Sequence, residues 1–568
     1  MPMHRLAELS DDETQKDGPP PADAPCAGSQ RRGSAGGRRP ASPIVIATLT
    51  GALLCAIDLG TRSLWLDEGS TFAIVSQNGA ALWRGIAHDG GNMFLYYVVM
   101  HFVIAWFGDA TWVMRLPSVI ATAATGGLVA ALSLRLFPGN RRLATLAGLL
   151  AVASLPLVYW GQNARGYAWL VTLSVASFLA LAVILQTPRD RAPSRGAVAA
   201  YVISTLGAVY IGYDVTLLIP AQLALLLIYR ERARLVISCM ALTMVLSTPL
   251  VVLAVERGSS QLFWVTSLSW RTAGQALLTM ISAMLPGDFH ETVMTLPAVI
   301  LLGLAVIAAL LAAGRPALRA LRSRRPRSHQ ALPLLFVMGW VVVPIVLTVI
   351  AYGAGEPIEL PRVSILEIPP VALLLAWTLL RPARTPLLGR LGLLGAGLLL
   401  AVRLAQVIPT YGVSPEQWQQ ATAYVLKKTP ATKPACIIFY AQDGRESFDY
   451  YVLRDTGSAV TMNPATPSPV PGLRPVLPAV GFGAVKPYVE QYLTLDAAQR
   501  ARVAGECPRL WLIASHQGSA LGTPASRANL RRYLHLEHGL RALYPHMVLR
   551  TFGWSAPIHV RLLYRSGP

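Results

Sequence analysis

Residues 44–70 read IVIATLTGALLCAIDLGTRSLWLDEGS. The stretch opens on an apolar run, Ile44 to about Leu59, of a length suited to crossing a bilayer. It closes on two adjacent carboxylates, Asp67 and Glu68, beside Trp65 in an otherwise apolar segment. Charge at the mouth of a membrane span is expensive to hold and seldom incidental. The first half predicts a membrane protein, and the second marks where its chemistry belongs.

The rest of the chain agrees with that start. Of its 568 residues, 53% are hydrophobic and 14% charged, against about 25% charged in soluble proteins. Apolar runs of roughly 17–25 residues recur, so the fold class is a polytopic α-helical membrane protein. The formal charge of +20 sits in short loops between apolar runs. No basic face interleaved with aromatics is present, which argues against nucleic acid as a partner. The cysteines, Cys26, Cys55, Cys239, Cys436 and Cys507, have neither CxxC nor metal-ligand spacing, leaving no zinc or iron–sulfur signature. Walker-type, Gly-x-Ser-x-Gly and His-Glu-x-x-His motifs are also missing.

Loop charge sets the topology. With 92–107 taken as non-crossing, spans after the first fall near 112–136, 143–161, 166–186, 196–212, 214–229, 234–255, 293–313, 331–352, 363–380 and 391–407. Every second loop is then basic: Arg141/Arg142, Arg189/Arg191/Arg195, Arg230/Arg232/Arg234, Arg315 through Arg327, and Arg381/Arg384/Arg390. The intervening loops carry Asp67, Glu68, Asp89, Asp214, Glu256, Asp288, Glu291, Glu356 and Glu359. This is the positive-inside pattern, and it predicts about eleven crossings of the cytoplasmic (inner) membrane with a cytoplasmic amino terminus. The carboxy terminus is then extracytoplasmic.

Three regions follow. Residues 1–42, rich in Pro, Gly, Ser, Ala and charge, predict a disordered cytoplasmic tail. Residues 43–408 form the multi-span domain, with an outer loop at about 60–114. Within that loop Phe72, Ile74, Val75, Leu82, Trp83 and Ile86 suit a helix lying in the membrane interface with its apolar face in lipid. Residues 409–568 are mixed polar and apolar, with strand-like runs at 436–440, 510–514 and 560–564 and helix-like periodicity at 415–428, 486–503 and 526–543. They predict a soluble α/β domain on the outer face. Cys436 and Cys507 would lie where disulfides are permitted, but whether they are bridged stays open.

Asp67 is the candidate general base, an acid beside a hydrophobic wall whose burial tunes its proton affinity. Adjacent residues point apart, so Glu68 is a helper or a structural partner. Arg165, in Gln162-Asn163-Ala164-Arg165-Gly166-Tyr167, is a positive charge on the outer side, against the orientation bias. A guanidinium there suits a phosphate, with Gln162, Asn163 and Tyr167 as neighbouring hydrogen-bonding groups. Arg362 is a second phosphate candidate, and Arg115 could instead pair with an acid at a span start. His88, Asp89 and Asn92 form a polar patch ahead of Tyr96-Tyr97.

Four segments in order carry a resemblance: Leu64-Trp65-Leu66-Asp67-Glu68, Gly91-Asn92-Met93-Phe94-Leu95-Tyr96-Tyr97, Arg115-Leu116-Pro117-Ser118 and Gln162 to Tyr167. Together they resemble the GT-C superfamily of integral-membrane glycosyltransferases, in particular glycosyltransferase family 39 with its aminoarabinose-transferase and protein-mannosyltransferase relatives. The likeness covers roughly 43–190 and resurfaces at Glu416-Gln417-Trp418 and Phe448-Asp449-Tyr450-Tyr451. It implies a polyprenyl-phosphate-linked sugar donor, an envelope acceptor hydroxyl, inverting transfer on the outer face, Asp67 as base and Arg165 on the donor phosphate. Asn92, Tyr96, Tyr167, Gln162 and Arg362 are the further substrate-binding candidates. Many relatives have His-Pro-Pro or Lys-Pro where this chain has Asn92-Met93-Phe94, and Arg-Tyr where it has Arg362-Val363. No cofactor is expected, although a divalent ion shared by Asp67, Glu68 and donor phosphate stays open. Arginine-rich, lysine-poor usage suggests a bacterial source.

The competing reading is a transporter or flippase of lipid-linked saccharides, which calls for essential charges in mid-span. The acids here sit at span ends, which favours an enzyme. A third reading is an inactive scaffold whose outer domain binds envelope polymer.

Overall fold

Small residues decide how the first helices meet. In the computed structural model, α1 (Ala41–Ala56) packs on α5 (Thr111–Leu136) and α6 (Arg141–Val152). A Cβ at Gly126 of α5 would stand 2.8 Å from the carbonyl oxygen of Ala47 on α1. Only glycine permits that approach, a packing mode common between membrane helices. The helix α5 also packs on α8 (Tyr167–Leu185), and α8 on α9 (Arg195–Ile211). Between α1 and α5 the chain forms three shorter helices: α2 (Leu66–Val75), α3 (Gly79–His88) and α4 (Phe94–Phe107).

The structure describes residues 41–257, 295–322, 331–354, 364–381, 385–411, 414–441, 443–456, 472–475, 492–520, 524–553 and 556–565. Most of the expected tail lies outside these residues, as does Arg362. Among the described residues, five helices are long and apolar enough to cross a membrane: Thr111–Leu136, Tyr167–Leu185, Ile300–Arg319, Leu332–Ala351 and Pro386–Val407. Two bent pairs bring the number to seven if each is one span. One joins α6 to α7 (Leu155–Gly161) at 62°, and the other joins 213–226 to 230–246 at 115°. Shorter apolar helices occupy the positions expected for the first span and for those near 196–212 and 363–380. Among the described residues α4 has 14 residues, which at about 1.5 Å per residue is about 21 Å, less than a hydrocarbon core of about 30 Å.

The segment expected to lie in the interface does something else. Phe72, Ile74, Val75, Leu82 and Ile86 are all at most 8% exposed and belong to the main core; Trp83 alone of that set stays outside, at 54%. The reason is that protein covers the apolar face. Phe72 meets the ring of Tyr450 edge-on at 5.0 Å, from a helix of the carboxy-terminal domain. Periodicity identifies an apolar face but not whether lipid or protein covers it.

That domain begins after α16 (Pro386–Val407; α10–α15 lie between 218 and 379) and contains α17 (Trp418–Lys428). Its sheet has the order β2-β1-β3-β5-β4, built from β1 (Ala435–Phe439), β2 (Leu473–Pro475), β3 (Arg509–Ala514), β4 (His546–Phe552) and β5 (Ile558–Tyr564). Strand β1 runs parallel to β2 and β3, while β5 pairs antiparallel with β3 and β4. The α/β architecture and the expected strands are present; β2, β4 and α18 (Gly444–Thr456) carry too little alternation to be legible in the sequence.

Alternate side chains divide the sheet. Cys436, Ile438, Leu510, Leu512 and Leu563 pack with α19 (Ala497–Glu506) and α20 (Pro524–Arg541). Ile437, Trp511, Ile513 and Val560 face the other way, into one core with Trp418, Phe448 and the membrane helices. A disulfide joins Cys436 to Cys507 across a separation of 71 residues. Replacing both by serine should lower the domain's stability by about 2–4 kcal/mol, read as an earlier melting transition of the purified protein; an unchanged transition counts against the bridge.

Candidate active site

Asp67 and Glu68 stand in the first turn of α2, where negative charge favours the helix dipole. Successive side chains diverge by about 100°, and the two acids meet opposite surroundings. Glu68 has no exposed surface and receives the guanidinium of Arg115 as a fork, Nε to Oε1 at 2.8 Å and Nη2 to Oε2 at 2.7 Å. The Ala164 N–H also donates to Oε1, at 2.7 Å. The remaining Arg115 donors reach the carbonyls of Leu59, Arg62 and Ser63. Every N–H of that guanidinium is therefore matched. The clamp joins α5, α2, the exit from α1 and the loop after α7.

Asp67 faces the other side. It keeps 22% of its side chain exposed and pairs with Arg165, Nη2 to Oδ2 at 3.5 Å. Arg165 Nη1 also reaches Thr71 Oγ1 at 3.3 Å and the Tyr97 hydroxyl oxygen at 3.2 Å. The Tyr97 hydroxyl donates to Asp89 Oδ2 at 2.9 Å. Asp67 directly, and Asp89 through Tyr97, thus converge on one buried arginine. Arg165 Nε has no partner among the described residues, leaving a donor unused beside the part-exposed carboxylate.

The carboxy-terminal domain closes on the same helix. Leu66 N–H donates to Glu416 Oε2 at 3.1 Å, and Leu64 N–H to the Tyr451 hydroxyl at 2.6 Å. The Ser447 hydroxyl donates to the Trp65 carbonyl at 3.3 Å. A Cβ at Gly69 would fall 2.9 Å from Ser447 Cα, so α2 and α18 meet backbone to backbone. Burial pushes Glu416 above its ordinary value, opposed by His516 and the Trp418 N–H. Burial, then the Asp443 charge, pushes Glu446 up to about 8, opposed by the Ser70 hydroxyl and Arg445.

The other sequence candidates divide. Gln162 is 1% exposed and its amide donates to the carbonyls of Cys55 and Ile57; it ties the end of α1 rather than facing an open site. Tyr96 is fully buried, its hydroxyl 3.5 Å from Ser118 Oγ, and Tyr167 is 5% exposed against the Trp160 ring at 4.1 Å. Asn92 is half-buried at the turn before α4. The neighbour Tyr97, not Tyr96, reaches Arg165. A helical offset is the missing signal: Tyr97 lies eight residues beyond Asp89, and only the turn at Gly90–Met93, with its left-handed residues, folds it back.

No protein-family model matches the chain, and no curated protein does. Solved structures do. ArnT from Cupriavidus metallidurans in the apo state is 15% identical with a TM-score of 0.51, covering 92% of this chain and 98% of its own. The same protein bound to undecaprenyl phosphate gives 13% and 0.50, covering 91% and 97%. The oligosaccharyltransferase of Archaeoglobus fulgidus, in complex with zinc and sulfate, gives 12% and 0.50, covering 84% and 68%. The chain shares the fold of these structures.

A shared divalent ion finds little support in the ligand set. Both Glu68 oxygens are taken by Arg115, Asp67 faces a guanidinium, and no three His, Cys, Asp or Glu side chains converge among the described residues.

Two measurements test this geometry. Glu68→Gln leaves Arg115 buried without its counter-charge and should cost about 3–5 kcal/mol, seen as a lower melting temperature; equal stability would refute the clamp. For Glu446, the folded chain holds the proton more tightly than the unfolded chain, whose value is near 4.5. Stability from this group is therefore present at low pH and lost as pH rises from about 4.5 to about 8. Glu446→Gln should flatten that part of the melting-temperature profile, and a superimposable profile would contradict it.

Proposed function

We propose that this protein transfers a sugar from a polyprenyl-phosphate-linked donor to an acceptor hydroxyl of the cell envelope. The observation that carries the reading is the pairing of the part-exposed Asp67 with the buried Arg165, which keeps Nε unmatched. The neighbouring ArnT structure holds undecaprenyl phosphate, which supports a lipid-linked donor here. The reaction lies on the outer face of the inner membrane; the acidic outer loops and the Cys436–Cys507 bridge support that side. On this topology 92–107 does not cross, residues 1–42 are cytoplasmic and residues 409–568 are extracytoplasmic.

The donor phosphate takes Arg165 as partner, through Nε and the amino groups, and draws it from Asp67. The carboxylate, released from its ion pair, accepts the proton of the acceptor hydroxyl. That oxygen attacks C1 of the sugar as the C1–O bond to phosphate breaks on the opposite face. The electron pair leaves with the phosphate oxygen, where the guanidinium stabilises the developing charge. One displacement inverts the anomeric centre. Glu68 takes no proton in this scheme; through Arg115 it holds the turn that aims Asp67. Asp89 and Tyr97 orient Arg165.

A transporter reading draws on two buried charges, Glu367 at the head of a helix (Ile368–Leu379) and Arg403 within α16, with Glu367 Oε2 and Arg403 Nε and Nη1 lacking partners among the described residues. It would be upheld by vesicles that move a lipid-linked sugar across the bilayer without cleaving it.

Asp67→Asn should abolish transfer from labelled polyprenyl-phosphate sugar, by about 10³-fold or more, while donor still binds. Undiminished transfer would remove Asp67 as the base. Arg165→Ala should weaken donor binding by about tenfold or more, the loss of a charge-assisted contact; unchanged affinity would remove the phosphate role.

A further inference from the structure

Two acids touch the first turn of α2 besides Asp67, and the reaction above uses neither as a proton acceptor. Glu68 holds the turn from the membrane side. Glu416 holds it from the outer domain, 350 residues from Leu66 in the sequence. The N–H groups of a helix's first turn have no partners within the helix. A Ser, Thr, Asp or Asn at the preceding position ordinarily supplies one. In α2 that position is Trp65, which makes no side-chain cap. Glu416 Oε2 takes the role instead, accepting from Leu66 N–H and from Trp418 Nε1.

Glu416 is 1% exposed, and a buried carboxylate needs a full set of partners. Its other oxygen, Oε1, lies 3.4 Å from His516 Nε2. His516 is itself held. It adopts a left-handed backbone, φ 51, uncommon away from glycine. Its carbonyl accepts from Asn529 Nδ2 at 2.9 Å, while Asn529 Oδ1 accepts from the Tyr440 hydroxyl. A chain of fixed groups therefore runs from β1 and α20 through His516 and Glu416 to the residue before Asp67. The Asp67 charge is in turn felt at Glu416.

We infer that Glu416, seated by His516, is a positioning residue for the transfer: by capping α2 at Leu66 it fixes where Asp67 stands. The inference rests on Asp67 being the base. The outer domain is then part of the catalytic apparatus without touching the sugar.

The test uses the full chain in lipid nanodiscs, comparing wild type with Glu416→Ala, Glu416→Gln and His516→Ala. Hydrogen exchange of the 64–72 segment reports the helix start independently of activity. Steady-state transfer from a synthetic polyprenyl-phosphate sugar reports kcat and donor KM. Glu416→Ala should accelerate exchange in 64–72 and lower kcat about 10- to 100-fold, the size expected of a small misplacement of a reacting group. Donor KM should move by less than about threefold. Glu416→Gln keeps an acceptor for Leu66 and Trp418 and should restore most of both. Where Glu416→Ala fails to fold, His516→Ala should show the same split, about three- to tenfold in kcat. Unchanged exchange, or unchanged kcat per folded molecule, in an active protein overturns the positioning role alone. A wild-type chain that turns over no lipid-phosphate sugar overturns the reaction on which it rests.

Discussion

A guanidinium with every N–H matched, facing a carboxylate with no exposed surface, is the contact on which the site depends. Arg115 and Glu68 are 1% and 0% exposed. Removing two such charges from water costs several kcal/mol each, recovered only where geometry and further hydrogen bonds are good. Here the fork is bidentate, and the carbonyls of Leu59, Arg62 and Ser63 take the remaining donors. Those carbonyls belong to the chain leaving α1, and Ala164 N–H completes the acid from the loop after α7. Distant parts of the sequence are thus held in one register by one ion pair. Hydrophobic packing alone, being non-directional, would not set it.

A second support comes from the carboxy-terminal domain. One face of the carboxy-terminal sheet, through Ile437, Trp511 and Ile513, shares a core with Trp418, Phe448 and the residues of α2. Gly69 lets α18 approach the backbone of α2, and Glu416, Ser447 and Tyr451 bond its leading residues. The helix bearing Asp67 is consequently an interior element shared by two layers. A short helix of 10 residues is marginal by itself; its order derives from these flanking contacts.

What the sequence made legible follows from what local pattern encodes. Apolar runs and loop charge placed the helices from Thr111 to Leu136 and from Tyr167 to Leu185 almost to the residue. Asp67, Arg165 and the odd polar patch at Asp89 were visible as charge in unfavourable places, and the structure brings them together. Gln162 and Tyr96 turn inward, because polarity marks a group needing a partner without saying whether the partner is protein. The sequence assigns the apolar face of α2 to lipid because one of its main covers, Tyr450 of α18 against Phe72, is remote in the chain. Tyr97 and Glu416 depend on long-range approach, which no spacing rule reports.

The two Arg–carboxylate pairs on neighbouring acids show how one motif divides its labour. Glu68 with Arg115 is tight at 2.7 Å and fully buried, whereas Asp67 with Arg165 is 3.5 Å apart with the acid 22% exposed. Charges about 4 Å apart attract by about 4 kcal/mol at an effective dielectric of about 20, but by only about 1 kcal/mol in water. The wetter, longer pair lies toward the weaker limit. A ligand phosphate, anionic and bidentate toward arginine, competes against that pair far more easily than against the buried one. The partner exchange proposed for Arg165 is therefore available at Asp67 and closed at Glu68. The helix turn that separates adjacent side chains buries one acid in a structural clamp and leaves the other part-exposed in a longer pair.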